Sequence, residues 1–261
     1  MRIVTWNVNS MAARLDFVLD FLQTRSPDIV CVQELKLPDE GFPHLAFEQA
    51  GFRALTYGQA QWNGVGVLVR KSVDPEPLIV STGLPGHEPM GSRLITVKAA
   101  GLSVTSAYVP NGKTVAHPDY KAKVAWLGGL ADFVEKNLDP NGHTILAGDF
   151  NVVPGDLDTW DPVGHVGAIF HTDAERGPLE RLRALGLQDL FREKNPDLQS
   201  FSWWDYRAGA FHKKQGLRID LVYGSKSVVS RVREVSIDRD FRKKREGRIP
   251  SDHAPVIVDI D

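Results

Sequence analysis

Two apolar patterns alternate along the chain and set its elements. Short continuous runs, such as residues 145–147, and alternating ones, such as 102–109, where Leu, Val, Thr, Ala and Val interleave with Ser and Tyr, have the character of strands. Further runs at 2–6, 28–33, 64–70, 78–82, 94–98, 144–148 and 254–260 predict strands as well. Helical spacing places Leu15, Val18, Leu19 and Leu22 on one face of residues 13–24, and Val124, Leu127, Leu130 and Val134 on one face of 120–137, with a shorter helix at 179–185. The strands at 64–70, 78–82, 94–98 and 102–108 follow one another without helices, which predicts antiparallel hairpins and excludes a strictly alternating parallel fold. The two halves read alike. Two sheets packed face to face and flanked by helices is the predicted architecture.

Polar groups stand where the apolar runs stop. Asn7 follows the first run, Glu34 the second, Asp149 and Asn151 the run at 144–148, and Asp252 and His253 precede the last. Residues at the ends of buried strands are held rigidly yet reach solvent. Hard oxygen donors gathered there predict a divalent cation beside a phosphate, the chemistry of phosphodiester hydrolysis.

That reaction needs charge neutralisation, an activated water and help for the leaving alkoxide. Glu34 and Asp252 are the expected ligands of a cation such as Mg²⁺, with the neutral Asn7 and Asn9 positioning Glu34 or a metal-bound water. Asp149 and Asn151 are two apart and share a face if the strand continues; an Asp there either takes a proton from the attacking water or returns one to the leaving oxygen. Asp220 is the expected orienting partner of the His253 imidazole. The Tyr108 hydroxyl and the Asn111 amide can reach phosphate oxygens. Taken singly, each of these residues is an ordinary cap, turn or rim residue.

Charge sharpens the choice of partner. The net charge is only −2, but residues 207–251 hold 13 Lys and Arg against 5 Asp and Glu, a local +8 that leaves −10 elsewhere. In the densest part of that stretch, Lys243, Lys244, Arg245 and Arg248 stand directly before Ser251-Asp-His253, which predicts a rim facing a polyanion. Trp203, Trp204 and Tyr206 lie beside that region, one Trp expected in the core and the other free to stack or line a pocket. With 42% hydrophobic residues and no Pro/Gly/Ser-rich linker, residues 1–261 are expected to form one domain, and a polar, mixed-charge surface predicts a monomer. No apolar run reaches the roughly 18 residues of a membrane span. The lone Cys31, inside an apolar run, is expected to be buried and inert, and the absence of disulfide chemistry fits a cytoplasmic home.

With those residues in hand, the chain resembles the exonuclease III family of abasic-site endonucleases, within the endonuclease/exonuclease/phosphatase superfamily. The resemblance runs from Trp6-Asn-Val-Asn9 through Gln33-Glu34, Asn63-Gly-Val-Gly66, Tyr108-Val-Pro-Asn-Gly112, Gly148-Asp-Phe-Asn151, Phe201-Ser-Trp203 and Gly216-Leu-Arg-Ile-Asp220 to Ser251-Asp-His-Ala-Pro255. It implies a four-layer α/β/β/α sandwich and a Mg²⁺- or Mn²⁺-dependent enzyme that cuts double-stranded DNA 5′ to abasic sites, clears blocked 3′ ends and, in some members, degrades duplex DNA from the 3′ end. It also implies that Tyr108, Asn151 and His253 contact the scissile phosphate, that Asp149 transfers the proton, and that Trp203, Leu217 and Ile219 line an apolar pocket for a baseless sugar. Residues 110–120 and 155–178 depart from the best-known bacterial members. Two other readings share the core groups: a phosphoesterase acting on a non-DNA substrate, and a catalytically silent regulator binding RNA or protein.

Overall fold

The computed structural model describes residues 1–137, 139, 142–245 and 247–261. Its strands are β1 (Arg2–Asn7), β2 (Ile29–Gln33), β3 (Phe52–Tyr57), β4 (Val65–Arg70), β5 (Leu78–Thr82), β6 (Leu94–Ala99), β7 (Leu102–Tyr108), β8 (Thr144–Asp149), β9 (Leu187–Asp189), β10 (Asp220–Ser225), β11 (Val232–Ile237) and β12 (Val256–Ile260). The α-helices are α1 (Met11–Arg25), α2 (His44–Gln49), α3 (Pro118–Asn137), α4 (Asp173–Ala184), α5 (Leu190–Lys194) and α6 (Lys226–Val229).

The strands form two six-stranded sheets, ordered β11-β12-β1-β2-β4-β3 and β5-β6-β7-β8-β10-β9. In each, only the central pair is parallel, β1 with β2 and β7 with β8, and each pair is joined by a crossover through a long helix, α1 or α3. The sheets therefore share one strand order and one pattern of directions. The expected hairpins are present in β5-β6-β7, but β4 and β5 belong to different sheets, so the link between them crosses the sandwich rather than turning back on itself. A local pattern cannot distinguish those two routes.

The period of two sorts the side chains into layers. Ile3, Ile29, Cys31, Val104, Ile145 and Ala147 face inward between the sheets. Val4, Trp6, Val30 and Val32 face outward onto Phe17, Val18, Phe21 and Leu22 of α1. Leu146 and Leu221 on the other sheet face Trp126 and Leu130 of α3 and Leu179 and Leu182 of α4. The result is the four-layer α/β/β/α sandwich. Cys31 lies wholly inside it, and burial pushes its thiol up to about 12, as expected of an inert thiol.

The helix expected at 179–185 starts earlier, because Thr172 and Glu175 form a capping box at its N-terminus and Pro178, which reads as a break, is carried inside the helix. Among the described residues, no helix is long and apolar enough to cross a membrane.

Along the inter-sheet face, the central strands turn from apolar to polar toward one end: Ile3 to Thr5 to Asn7, Ile29 to Cys31 to Gln33, Val104 to Ser106 to Tyr108, Ile145 to Ala147 to Asp149. Burial is tolerated there because the groups bond one another. Gln33 Nε2 donates to Thr5 Oγ1 and to Ser106 Oγ, each at 3.1 Å.

The outer layer on α1 is aromatic. Phe21, fully buried, lies with its ring centroid 5.3 Å from that of Trp6 and 4.9 Å from that of Phe241. Phe21→Ala is expected to lower the unfolding free energy by about 3–5 kcal/mol. Urea denaturation checks this, and a loss below about 1 kcal/mol would mean that the layer is loosely packed.

Candidate active site

Strand direction gathers the site. Asn7 ends β1, Glu34 follows β2, Tyr108 ends β7 and Asp149 ends β8. β10 and β12 run antiparallel to β8 and β1, so Asp220 at the start of β10 pairs with Asp149, and His253 just before β12 arrives at the same end. Six chain segments thus deliver one side chain each to the polar end of the sandwich.

Asn7 links the sheets. Its Nδ2 donates to Glu34 Oε1 at 2.8 Å and to Asp149 Oδ2 at 2.9 Å, while its Oδ1 accepts from the Asn9 backbone N–H. The Ser251 hydroxyl donates to its carbonyl, and Trp6 Nε1 donates to the carbonyl of His253.

Asp149 is almost wholly buried. Its Oδ1 accepts the Asn151 backbone N–H at 2.9 Å and its Oδ2 accepts the Asn151 amide at 3.3 Å. Burial raises its pKa to about 7, with Asp220 and Glu34 adding to the rise while His253 and the Asn7 amide oppose it. His253 Nε2 stands 3.8 Å from Asp149 Oδ2, and its Nδ1 bonds Asp220 Oδ2 at 2.8 Å. Burial disfavours the imidazolium, but Asp220 and Asp149 outweigh it and raise the pKa to about 10. Asp220 is in turn fixed by Ser202 Oγ, which accepts its backbone N–H. Arg218, buried between Asp158 and Asp189, anchors the segment leading into β10.

On the other side of Asn7, Glu34 accepts the Tyr108 hydroxyl at 3.0 Å. Burial, together with the carboxylates of Glu34 and Asp149, holds that phenol well above its ordinary pKa, so it serves as a neutral donor. Asp252 Oδ1 accepts from the Asn9 amide at 2.9 Å, and Asp252 Oδ2 from Trp203 Nε1 at 3.0 Å. Burial works against both acids as anions. Lys36 chiefly holds Glu34 below its ordinary pKa, and the charge of His253 with the Trp203 and Asn9 bonds does so for Asp252.

Lys36 was not singled out from the sequence, yet its ammonium bridges Glu34 Oε2 at 2.8 Å and Asn9 Oδ1 at 2.6 Å. The signal was its place two residues after Glu34. Glu34 and Lys36 both have left-handed backbones, φ 55° and 56°, and the loop is pinned where Leu35 and Lys36 donate to the carbonyls of Gly64 and Asn63. A Cβ on Gly64 would stand 2.9 Å from that of Leu35, which accounts for the glycine in Asn63-Gly-Val-Gly66.

Glu34, Asp149 and His253 offer atoms within 4.8 Å of one another, the acidic group that can hold a metal ion among the described residues. Asp252 is linked to Glu34 through Asn9 and Lys36. The buried carboxylates of Asp149 and Asp220 and the half-buried ones of Glu34 and Asp252 face the cations of His253 and Lys36, and an excess of hard oxygen donors suits a hard divalent cation that keeps several waters.

The remaining expected residues divide. Asn111 approaches Asn151 Oδ1 at 3.4 Å, at the edge of the site. Trp204 is core and Trp203 is half-buried, as alternation required. Leu217 and Ile219 are 5% and 1% exposed, packed with Val153, Phe170 and Trp203. In the basic segment, Lys243 and Lys244 point outward, Arg245 pairs with Asp20 of α1 over the Phe241 ring, and Arg248 donates to the Asp16 carbonyl. The Glu246 of that run lies outside the described residues. Arg242 is a brace, donating to the carbonyls of Asp252 and Trp204. Lys123, also unforeseen, is fully buried, with its Nζ bonded to Glu175 and to the Asn151 carbonyl.

A buried carboxylate beside an imidazolium, with hard oxygen donors across an amide bridge, defines a hydrolase of phosphoesters. The chain belongs to the Endonuclease/Exonuclease/phosphatase family, whose family model matches residues 4–253, and within it to the exonuclease III group. It is 31% identical to an exodeoxyribonuclease III of Haemophilus influenzae, over 98% of either chain. It superposes with a TM-score of 0.92 and 34% identity on a 3′ phosphatase from Neisseria bound to a product DNA hairpin, covering 100% of this chain and 99% of that one. An AP endonuclease from Archaeoglobus fulgidus superposes with a TM-score of 0.94 and 30% identity, again over 100% and 99%.

The geometry makes His253 a cation at neutral pH. In the metal-free protein, its ring resonances in NMR are expected to stay those of the imidazolium at pH 8. Asp220→Asn, which removes the carboxylate charge facing Nδ1, is expected to bring the titration downward; an unchanged midpoint would show that Asp220 does not set it.

Proposed function

We propose that the protein is a DNA-repair phosphodiesterase that uses Mg²⁺, with Mn²⁺ able to substitute, to hydrolyse the P–O3′ bond in double-stranded DNA. Its substrate classes are abasic sites, cut on the 5′ side, and blocked 3′ ends, with 3′-to-5′ exonuclease action by the same chemistry. The observation that carries this reading is Asp149, a buried carboxyl with a pKa raised to about 7, held by Asn7 and Asn151 and faced by the His253 imidazolium. The exodeoxyribonuclease and AP endonuclease names of its relatives support it.

In this mechanism, Asp149 as carboxylate accepts a proton from the attacking water while the water oxygen bonds to phosphorus. The P–O3′ bond breaks, and the leaving oxygen takes a proton from solvent. His253 neutralises a non-bridging oxygen as a fixed cation, and Tyr108, Asn111 and Asn151 supply neutral contacts to the phosphate. Glu34 and Asp252, with Asn7 and Asn9 beside them, would hold a divalent cation, which would supply Lewis-acid neutralisation of the phosphate charge. Lys243 and Lys244 face the DNA backbone. Residues 1–261 act as one domain, because Asn7 and His253, from opposite ends of the sequence, complete one site, and as a monomer, in keeping with a polar surface of mixed charge.

The decisive experiment is cleavage of an end-labelled duplex carrying one abasic-site analogue, with Mg²⁺ and with EDTA, beside an undamaged duplex and a duplex ending in a 3′-phosphate. Metal-dependent release of a 3′-hydroxyl supports the reading, and no cleavage by folded protein with either metal rejects it. Asp149→Asn is expected to lower the cleavage rate by about 10²–10⁴-fold while DNA binding is largely kept. Full activity in that variant would remove Asp149 from the mechanism. Glu34→Ala is expected to raise the Mg²⁺ concentration for half-maximal rate about tenfold or more, and an unshifted titration would take Glu34 off the metal side.

A further inference from the structure

Two of the three walls expected to receive a baseless sugar, Leu217 and Ile219, have almost no surface to offer one, while Trp203 is half-buried. Val153 is fully buried, Leu217 is 5% exposed and Ile219 is 1% exposed, and Phe170 packs over them. Phe170 was not among the residues expected in the site, since it lies in the stretch 155–178 where the resemblance fails. Its backbone is left-handed, φ 72°, a conformation a bulky side chain adopts only where its surroundings over-determine it.

Those surroundings are visible. The Phe170 carbonyl accepts the Val153 N–H at 2.8 Å, and its own N–H donates to Glu175 Oε1 at 3.1 Å. Lys123 Nζ lies 4.5 Å from the ring centroid and is itself bonded to Glu175 and, at 2.6 Å, to the carbonyl of Asn151. The Lys123 and Glu175 side chains are fully buried, and a buried pair of this kind is costly to open. The ring is therefore fixed against the apolar cluster, two residues from the Asn151 backbone by way of Val153.

We propose that Phe170 is a plug filling the apolar pocket, so that the enzyme acts on 3′-terminal phosphate groups in preference to internal abasic sites. This rests on the reading of the site as a DNA phosphoesterase and ranks its two substrate classes. At an internal abasic site, the sugar on the 3′ side of the scissile phosphate must leave the helix and find a cavity beside the catalytic groups. Water breaks the P–O3′ bond there to give a 3′-hydroxyl and a 5′-phosphate on that sugar. At a 3′-phosphate end, water breaks the same P–O3′ bond to give a 3′-hydroxyl and inorganic phosphate, and nothing beyond the phosphorus needs room. The same catalytic groups serve both, but only the first substrate needs the volume that Phe170 fills.

The test compares kcat/KM for a duplex with an internal tetrahydrofuran abasic analogue and for a duplex with a recessed 3′-phosphate, using the full chain, Phe170→Gly and Phe170→Ala, with thermal melting as the check on folding. Glycine suits the left-handed backbone, and the alanine variant removes the ring without adding that freedom. The expected result is a preference of about tenfold or more for the 3′-phosphate in the unsubstituted chain, and a ratio that falls about tenfold or more in both variants through faster internal incision. Internal incision as fast as 3′-phosphate removal in the unsubstituted chain, or a ratio unmoved by either variant, overturns the plug while leaving the nuclease reading intact. Failure to cleave either duplex overturns both.

Discussion

The Asn7 amide is the constraint on which the site depends, because one neutral group holds two carboxylates that arrive on different sheets. Glu34 comes from the first sheet and Asp149 from the second, and bringing them together without a donor between would set buried like charges against each other. An amide can do this where a cation could not without neutralising the Asp149 carboxylate. Burial at this end, opposed by His253 and by the Asn7 hydrogen bond, holds Asp149 at a pKa of about 7, where it can exchange a proton near neutral pH.

Around that bridge, the charges are arranged in opposed pairs. His253 is kept cationic by Asp220, and Lys36 lies against Glu34 and Asn9. Both cations are buried or half-buried, so their fields act at low effective dielectric and are little screened by salt. The polar end of the sandwich is tolerable only because the strands beneath it alternate: each polar side chain on the inner face has an outward neighbour, such as Trp6 beside Asn7 or Phe150 beside Asp149, that packs into an apolar layer. The apolar layers thus position the polar groups without touching the chemistry.

Much of this was legible in the sequence because it depends on short-range pattern. Period-two runs marked the central strands, and the polar residue at the end of each marked the site: Asn7, Glu34, Tyr108, Asp149 and His253 all arrive at one place. The pairing of His253 with Asp220 was also legible, since the acid beside the His was already assigned elsewhere. The basic segment was less so, because a run of charge does not say which members turn inward; Arg242 and Arg245 pack on protein, while Lys243, paired with Asp240, and Lys244 stay exposed.

By itself, the sequence determined the layer architecture and which polar groups converge at one end of it, with their order along the chain, since alternation and strand ends are local properties. Only the tertiary structure decided which strands share a sheet, that Lys36 turns back onto Glu34, and that Phe170 packs against the cluster of Val153, Leu217 and Ile219 with its ring beside the buried Lys123–Glu175 pair. Those features join residues far apart in sequence, or depend on a left-handed backbone at a residue that does not favour it, and neither leaves a periodic trace.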